Sequence, residues 1–529
     1  MLRLHALARA REQHSTLSHP AIRHAQRAAI ATMLHALTCI LLLVAFATAH
    51  ARLVGTGAAS ARAQEDARWW WDDAVKRSNA LGDIVTGGGE LSTRSNGLLN
   101  VDAMNALLTG SEASHSESTH MRDSLLEQAS KLGLLKKEGA PVFARPVAFV
   151  TGLMGGRLME SVNNRERTTN PFCRRNVDTE LVWPPPPNMT ILWHFTCLCA
   201  NLQLVYDEGS GTYRPKVSGV NVSVDESFGG AIDLAWKDWV NALESVNPAF
   251  VRGRDIVGLP YDWRLGPDAW SAPDGDFDRT KAAIEAAVAA NDGRKIVVVS
   301  ISMGGPYFAA FASRHVSQMW RDKHIHAFLS LSGVFSGSSL AILHLLTGAF
   351  GQTPLPSYLF KPFMEMSRSL GSIPWLVPTA PTFSADEAIV TVKDKTYKLD
   401  DMGSLFRDAG ATQAALLWSK YKDVSGLSLA PNVTTICVSG YNHSTLATLT
   451  FSSMKKLKTP SGATFVDGDG TVASSSLRVC DSFAGVQRMP VYPVHVLNAT
   501  HSGLLGDKDM GKILFPLVFQ QQDVNVGQW

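Results

Sequence analysis

Residues 297–306 read VVVSISMGGP, a β-branched run that stops on Ser302 with Gly304 and Gly305 directly behind it. A strand that turns into a helix at a serine holds that hydroxyl on a strained turn, where the residues two before and two after must be small. The usual pattern is G-x-S-x-G, and Ser300 stands here at the first small position. A tight strand-to-helix turn needs glycine in any case, so the motif alone fits a plain turn as well as a nucleophile. A serine hydroxyl attacks only beside a base, itself oriented by a carboxylate. Later in the chain VDGDGTVASS offers Asp467 and Asp469, and VHVLNATHSGLL offers His495 and His501. D-G-D-G also resembles the start of a calcium loop, but no glutamate closes it at the expected distance. His495 lies inside an apolar run and reads as a packed strand residue, whereas His501 falls just beyond that run. Charge developing on a substrate oxygen needs two backbone N–H donors. Met303 follows the serine, and Leu153, after Gly152 in VAFVTGLMGGRL, is the candidate for the second.

These residues need a frame that brings distant loops to one edge. Short apolar runs recur at 147–150, 255–259, 295–301, 327–333, 434–440 and 491–497. Helical patterns such as AIDLAWKDWVNALES and RTKAAIEAAVAA lie between them. Strands that are apolar throughout and alternate with helices imply a parallel sheet covered on both faces, an α/β fold with right-handed crossovers. Residues 336–432 break the alternation with Pro-rich and aromatic segments and read as a cap inserted over the carboxyl ends of the strands. The core is thus expected in two parts, 141–335 and 433–529, and the order Ser302, Asp469, His501 is that of α/β hydrolases.

Ahead of the core, Arg3, Arg9, Arg11, Arg23 and Arg27 precede the apolar run ALTCILLLVAFA and a small-x-small A-H-A at 49–51. Residues 1–51 therefore read as a secretory signal, or as an uncleaved signal anchor. Residues 52–140 carry a WWW cluster and a Gly/Ser-rich stretch, with no catalytic content. Charged residues are 18% of the chain and the net charge is +2, which gives no footprint for nucleic acid. Beyond Cys39 of the leader, Cys173, Cys197, Cys199, Cys437 and Cys480 allow two pairs with one left over, and none has metal spacing. N-x-S/T sequons fall at Asn188, Asn221, Asn432, Asn442 and Asn498. Trp183, Ile191, Leu192 and Trp193 make the segment VWPPPPNMTILW unusually apolar; it either packs on the domain or meets a bilayer interface.

Across about 141–515 the chain resembles the lecithin:cholesterol acyltransferase family. The resemblance runs through PVAFVTGLMGGRL, NLQLVYD, GLPYDWRLGP, VVSISMGG, MWRDKHIHAFLSLSG, TAPTFSADEA, ICVSGY, VDGDGTVASSSLRVC and NATHSG. It implies an α/β-hydrolase fold with a mostly parallel sheet, an inserted cap and a disulfide-stapled membrane-binding loop at 173–197. It implies Ser302 as nucleophile, Asp469 as triad acid, His501 as base, and Leu153 and Met303 as oxyanion donors. It also implies disulfides Cys173–Cys197 and Cys437–Cys480 with Cys199 free, and it places Trp183 and Trp193 on the membrane loop. Asp262 and Arg264 look like a structural ion pair.

The activity so implied is acyl transfer from a glycerophospholipid to water, sterol, ceramide or diacylglycerol at a membrane or lipoprotein surface. No cofactor, metal or obligate protein partner is expected, and the compartment would be extracellular or lysosome-like. A lipase or carboxylesterase without transfer, and an inactive lipid-binding relative, are the alternatives. The chain departs from the family at Ser300, Ile301, Thr151, Leu153 and the segment SGVFSGSS.

Overall fold

The computed structural model describes residues 127–131, 143–166, 170, 173–185, 191–348, 357–507 and 509–520. The proposed leader and most of 52–140 lie outside the described residues. The central sheet has six strands: β1 (Val147–Val150), β2 (Ile256–Gly258), β3 (Ile296–Ile301), β4 (Ile325–Leu331), β5 (Thr435–Tyr441) and β6 (Val491–Leu497). Their order is β6-β5-β4-β3-β1-β2, and every neighbouring pair is parallel. This is the mostly parallel sheet of an α/β-hydrolase fold. The chain steps one way from β1 to β2 and then builds the rest on the other side, so the order reverses between β1 and β3. Crevices open at such a reversal, outside the carboxyl ends of the strands.

The apolar runs have the cause their composition suggests. All six residues of β3 are buried. Val298 joins one core cluster, while Val297, Val299 and Ile301 join the other, so each face of the strand is covered. Edge strand β6 alternates in exposure and tolerates Pro493, which lacks a ladder donor. The stretch AIDLAWKDWVNALES is two helices rather than one, Phe228–Ile232 and Lys237–Val246. Trp236 fills the break between them, fully buried with its ring 4.9 Å from Phe149.

The segment 336–432 supplies helices Ser339–Thr347, Ser357–Ser369, Met402–Asp408 and Thr412–Tyr421. Its strand Val390–Val392 pairs with His443–Phe451, which continues as a hairpin into Gly462–Gly468. Thr-rich alternation such as TLTF is a strand signal, but no two-residue turn signature follows it, so the hairpin and its pairing with Val390–Val392 are not legible in the sequence.

Both disulfides implied by the resemblance are present, Cys173–Cys197 and Cys437–Cys480, and Cys199 is free and buried. Asp262 and Arg264 form the expected buried ion pair, with Arg264 also donating to the Val222 carbonyl.

Trp183 is a correction. It ends the strand Val177–Trp183 and is only 5% exposed, with its ring 5.6 Å from Trp263. Its indole N–H donates to the Met154 carbonyl at 2.7 Å. A buried indole needs an acceptor, and this one is found inside the domain. Trp183 therefore cannot face a bilayer. Trp193 lies in the first turn of helix Ile191–Leu202, and its side chain falls outside the described residues.

Candidate active site

Strand β3 ends at Ile301, and Ser302 sits at φ 56°, a left-handed backbone that a non-glycine residue adopts only when its surroundings impose it. The Ser302 N–H donates to the Leu331 carbonyl, and the Ser302 carbonyl accepts from Gly305 and Val334. Helix Gly304–Ala310 starts at once. A Cβ at Gly304 would stand 2.4 Å from the Thr151 carbonyl oxygen, which explains the small residue behind the serine. Ser300, at the position usually held by glycine, is fully buried, and its hydroxyl has no partner among the described residues. Ser302 itself is half-buried. Its environment is that of a nucleophile elbow.

The loop after β1 lies directly against this serine. A Cβ at Gly152 would come within 2.8 Å of the Ser302 Cβ. Next along the loop is Leu153, and Met303 follows Ser302; neither backbone N–H has an acceptor among the described residues. Met154, at φ 60°, presents its carbonyl to Trp183. The residue expected at a membrane thus braces the loop that holds Leu153.

Asp469 follows the hairpin strand and is 1% exposed. One carboxylate oxygen accepts the N–H groups of Thr471 at 3.0 Å and Val472 at 2.8 Å. The other lies 2.7 Å from His501 Nδ1. An ionised carboxylate can only accept, so Nδ1 carries the proton and the Nε2 lone pair is left to act as base. The His501 N–H donates to the Asp469 carbonyl at 2.9 Å, which ties the two loops together a second time. Glycine is required at position 440, where a Cβ would lie 2.0 Å from the Ala499 carbonyl oxygen and push the histidine loop off β5. No hydrogen bond joins the Ser302 hydroxyl to the His501 ring among the described residues. Unliganded sites often leave that bond long.

Ser302 and His501 follow the carboxyl ends of β3 and β6, the Leu153 loop follows β1, and Asp469 ends the hairpin that leaves β5, bridged there to His443. A family profile described as lecithin:cholesterol acyltransferase matches residues 179–420. Phosphatidylcholine-sterol acyltransferase of Oryctolagus cuniculus is 28% identical over 363 residues, 66% of this chain and 80% of the relative. Lysosomal phospholipase A and acyltransferase of Mus musculus is 28% identical over 404 residues, 74% of this chain and 94% of the relative. The chain is similar in sequence to the lecithin:cholesterol acyltransferase family over this region. Among solved structures, the crystal structure of the Tle4–Tli4 complex aligns with 70% of this chain and 97% of its own, at TM-score 0.41 and 12% identity.

Several residues around this candidate site carry no motif. In SGVFSGSS, Ser332, Ser338 and Ser339 donate their hydroxyls to backbone carbonyls of the histidine loop, the acid loop and the hairpin strand, and Ser336 donates to the Thr379 carbonyl at 2.9 Å. Ser332 reaches His501 at 3.1 Å, Ser338 reaches Thr471 at 2.6 Å and Ser339 reaches Ala447 at 2.6 Å. Ser332 is fully buried, stands at φ 47°, and also donates its N–H to the Val438 carbonyl. The segment read as a departure from the family therefore fastens the acid and histidine loops to the end of β4. His495 is likewise not simply packed. Its Nδ1 lies 2.9 Å from Ser439 Oγ and its Nε2 lies 3.2 Å from Asp481, at a half-exposed edge of the sheet.

Proposed function

We propose that this protein moves a fatty acyl group from a glycerophospholipid, through an acyl-serine intermediate on Ser302, to water or to a lipid hydroxyl. One observation carries the reading: a buried Asp469–His501 pair, joined at 2.7 Å, at the same sheet edge as a serine held at φ 56°. In this scheme His501 Nε2 takes the Ser302 proton while Oγ attacks the ester carbonyl carbon. The developing oxyanion is met by the Leu153 and Met303 N–H groups. His501 then returns the proton to the departing lysolipid oxygen, and the acyl group stays on Ser302. In the second half, His501 takes a proton from the acceptor hydroxyl, the acceptor oxygen attacks the acyl carbon, and Ser302 recovers its proton. Water as acceptor gives hydrolysis. A sterol, ceramide or diacylglycerol gives acyl transfer. Phospholipid substrates are supported by the names of the two relatives, one a phosphatidylcholine-sterol acyltransferase and the other a phospholipase A and acyltransferase.

We further propose entry to the secretory pathway through residues 1–51, consistent with two disulfides, which persist in oxidising compartments. The test incubates protein lacking residues 1–51, beside its Ser302→Ala variant, with labelled phosphatidylcholine liposomes containing a sterol and a short-chain ceramide. Fatty acid, lysolipid, steryl ester and acyl-ceramide are quantified at acid and neutral pH. Serine-dependent acyl release is the expected outcome, and the product ratio names the acceptor. Intact liposome binding with no release in any condition would overturn the enzymatic reading.

A further inference from the structure

The hairpin that ends at Asp469 carries a surface the catalytic scheme does not use. Its first strand buries Thr445, Ala447, Leu449 and Phe451, whereas its second is exposed from Gly462 through Asp467 and forms the edge of its sheet. Phe465 is 48% exposed and stands opposite Leu446, on the face turned away from those buried residues. The connecting turn is ordered. A short 3-10 helix, Met454–Lys456, is followed by Leu457, which is buried and anchors the turn in the core. That anchor turns Lys455, Lys456 and Lys458 outward. None of these three lysines has an ion-pair or hydrogen-bond partner among the described residues. At the same end of the sheet the turn from Val390–Val392 to Lys395–Tyr397 adds Lys393 and Asp394, 3.7 Å apart. The turns at this end of the sheet thus carry four lysines and one aspartate, in a chain whose net charge is only +2, and Phe465 lies farther along the same exposed edge strand.

We propose that this hairpin docks on the surface of an anionic phospholipid bilayer, with Lys455, Lys456 and Lys458 against the headgroups and Phe465 at the interface. Lysines near an anionic leaflet and an aromatic at headgroup depth are the complementary chemistry. The exposed edge strand runs from this turn at one end of the hairpin to Asp469 at the other, so a bilayer lying along that strand meets the segment that delivers the catalytic carboxylate. The inference rests on the phospholipid reading above and adds a headgroup preference and a place for it.

The test uses the full chain and vesicles of phosphatidylcholine, alone or mixed with phosphatidylglycerol, read by cosedimentation at low and high salt. The wild-type chain is expected to prefer the mixed vesicles and to lose that preference at high salt. K455S/K456S/K458S is expected to weaken binding to mixed vesicles by roughly 100-fold. F465S is expected to weaken binding to both kinds by roughly tenfold. Hydrolysis of a soluble short-chain ester should stay unchanged in both variants, which separates this surface from the triad. Wild-type chain with no preference for anionic vesicles overturns the proposal, even if a variant fails to fold. Equal binding by the triple variant overturns it too, as does a concentration-dependent dimer abolished by F465S, which would place a second copy on the edge. Failure of the catalytic reading would show separately, as soluble ester hydrolysis that survives Ser302→Ala.

Discussion

His501 and His495 leave the same edge of the sheet, and each holds an aspartate on one ring nitrogen. His501 Nδ1 meets Asp469 at 2.7 Å, and His495 Nε2 meets Asp481 at 3.2 Å. Only His495 is already within hydrogen-bond distance of a serine, Ser439 at 2.9 Å. Residue types and a snapshot of hydrogen bonds alone would therefore favour the His495 cluster over the proposed one. Ser439 lies within a regular strand, opposite His495 in the parallel ladder, where its backbone is relaxed. Ser302 stands at φ 56° past a strand end, with Gly152 close against it and two unengaged amides alongside. Asp469 is 1% exposed and accepts two backbone N–H groups, whereas Asp481 is partly open to solvent. What sets the proposed catalytic cluster apart is strain at its serine, a buried and fixed carboxylate, and backbone donors with no acceptor of their own.

That contrast can be broken by mutation. The largest effect is expected at Ser302→Ala, which should lower kcat for acyl release by roughly 10⁴-fold or more while leaving the melting temperature near wild type. Asp469→Asn should come close behind, at about 10⁴-fold, because the histidine would lose its fixed tautomer. Ser332→Ala is expected to cost about tenfold in kcat with little change in KM, the effect of about one buried hydrogen bond on the placement of His501. Ser332→Gly, which suits φ 47° but also lacks the hydroxyl, should share that loss. Ser439→Ala should change kcat less than about twofold. Equal losses at Ser439 and Ser302 in a folded protein would erase the distinction drawn above.

The contrast also has a pH signature. Burial pushes the Asp481 carboxyl up despite the His495 ring beside it. A carboxyl raised in the folded state contributes stability that is present at low pH and is lost as pH rises through its folded pKa. Wild-type protein therefore loses stability at this site between acid and neutral pH. Asp481→Asn removes that slope, so its melting temperature relative to wild type should rise with pH. A relative melting temperature that falls as pH rises would contradict the assignment.

Much of this site is legible in the sequence because its parts sit where regular elements end. The all-apolar run before Ser302 is a strand covered on both faces, and His501 follows the last residues of β6. Asp469 could be picked from D-G-D by motif and order, yet the hairpin that delivers it could not, since alternating Thr and Ser say little about partners. Trp183 is illegible in the sequence, because an apolar residue near proline looks the same whether it faces lipid or a neighbouring carbonyl; the Met154 acceptor decides. The serines of SGVFSGSS were unreadable for a related reason. Serine hydroxyls that donate to distant carbonyls have no periodicity, and the partners of Ser332, Ser338 and Ser339 lie more than a hundred residues away.

The central claim is a covalent one, so the most direct measurement is acid quench of the enzyme during turnover of a phosphatidylcholine with one distinctive acyl chain, followed by peptide mass analysis. The peptide bearing Ser302 is expected to carry that acyl mass, with the adduct absent in Ser302→Ala and accumulating when the acceptor is withheld. Sustained turnover with the Ser302 peptide unmodified, or with the adduct on another residue, would contradict the account.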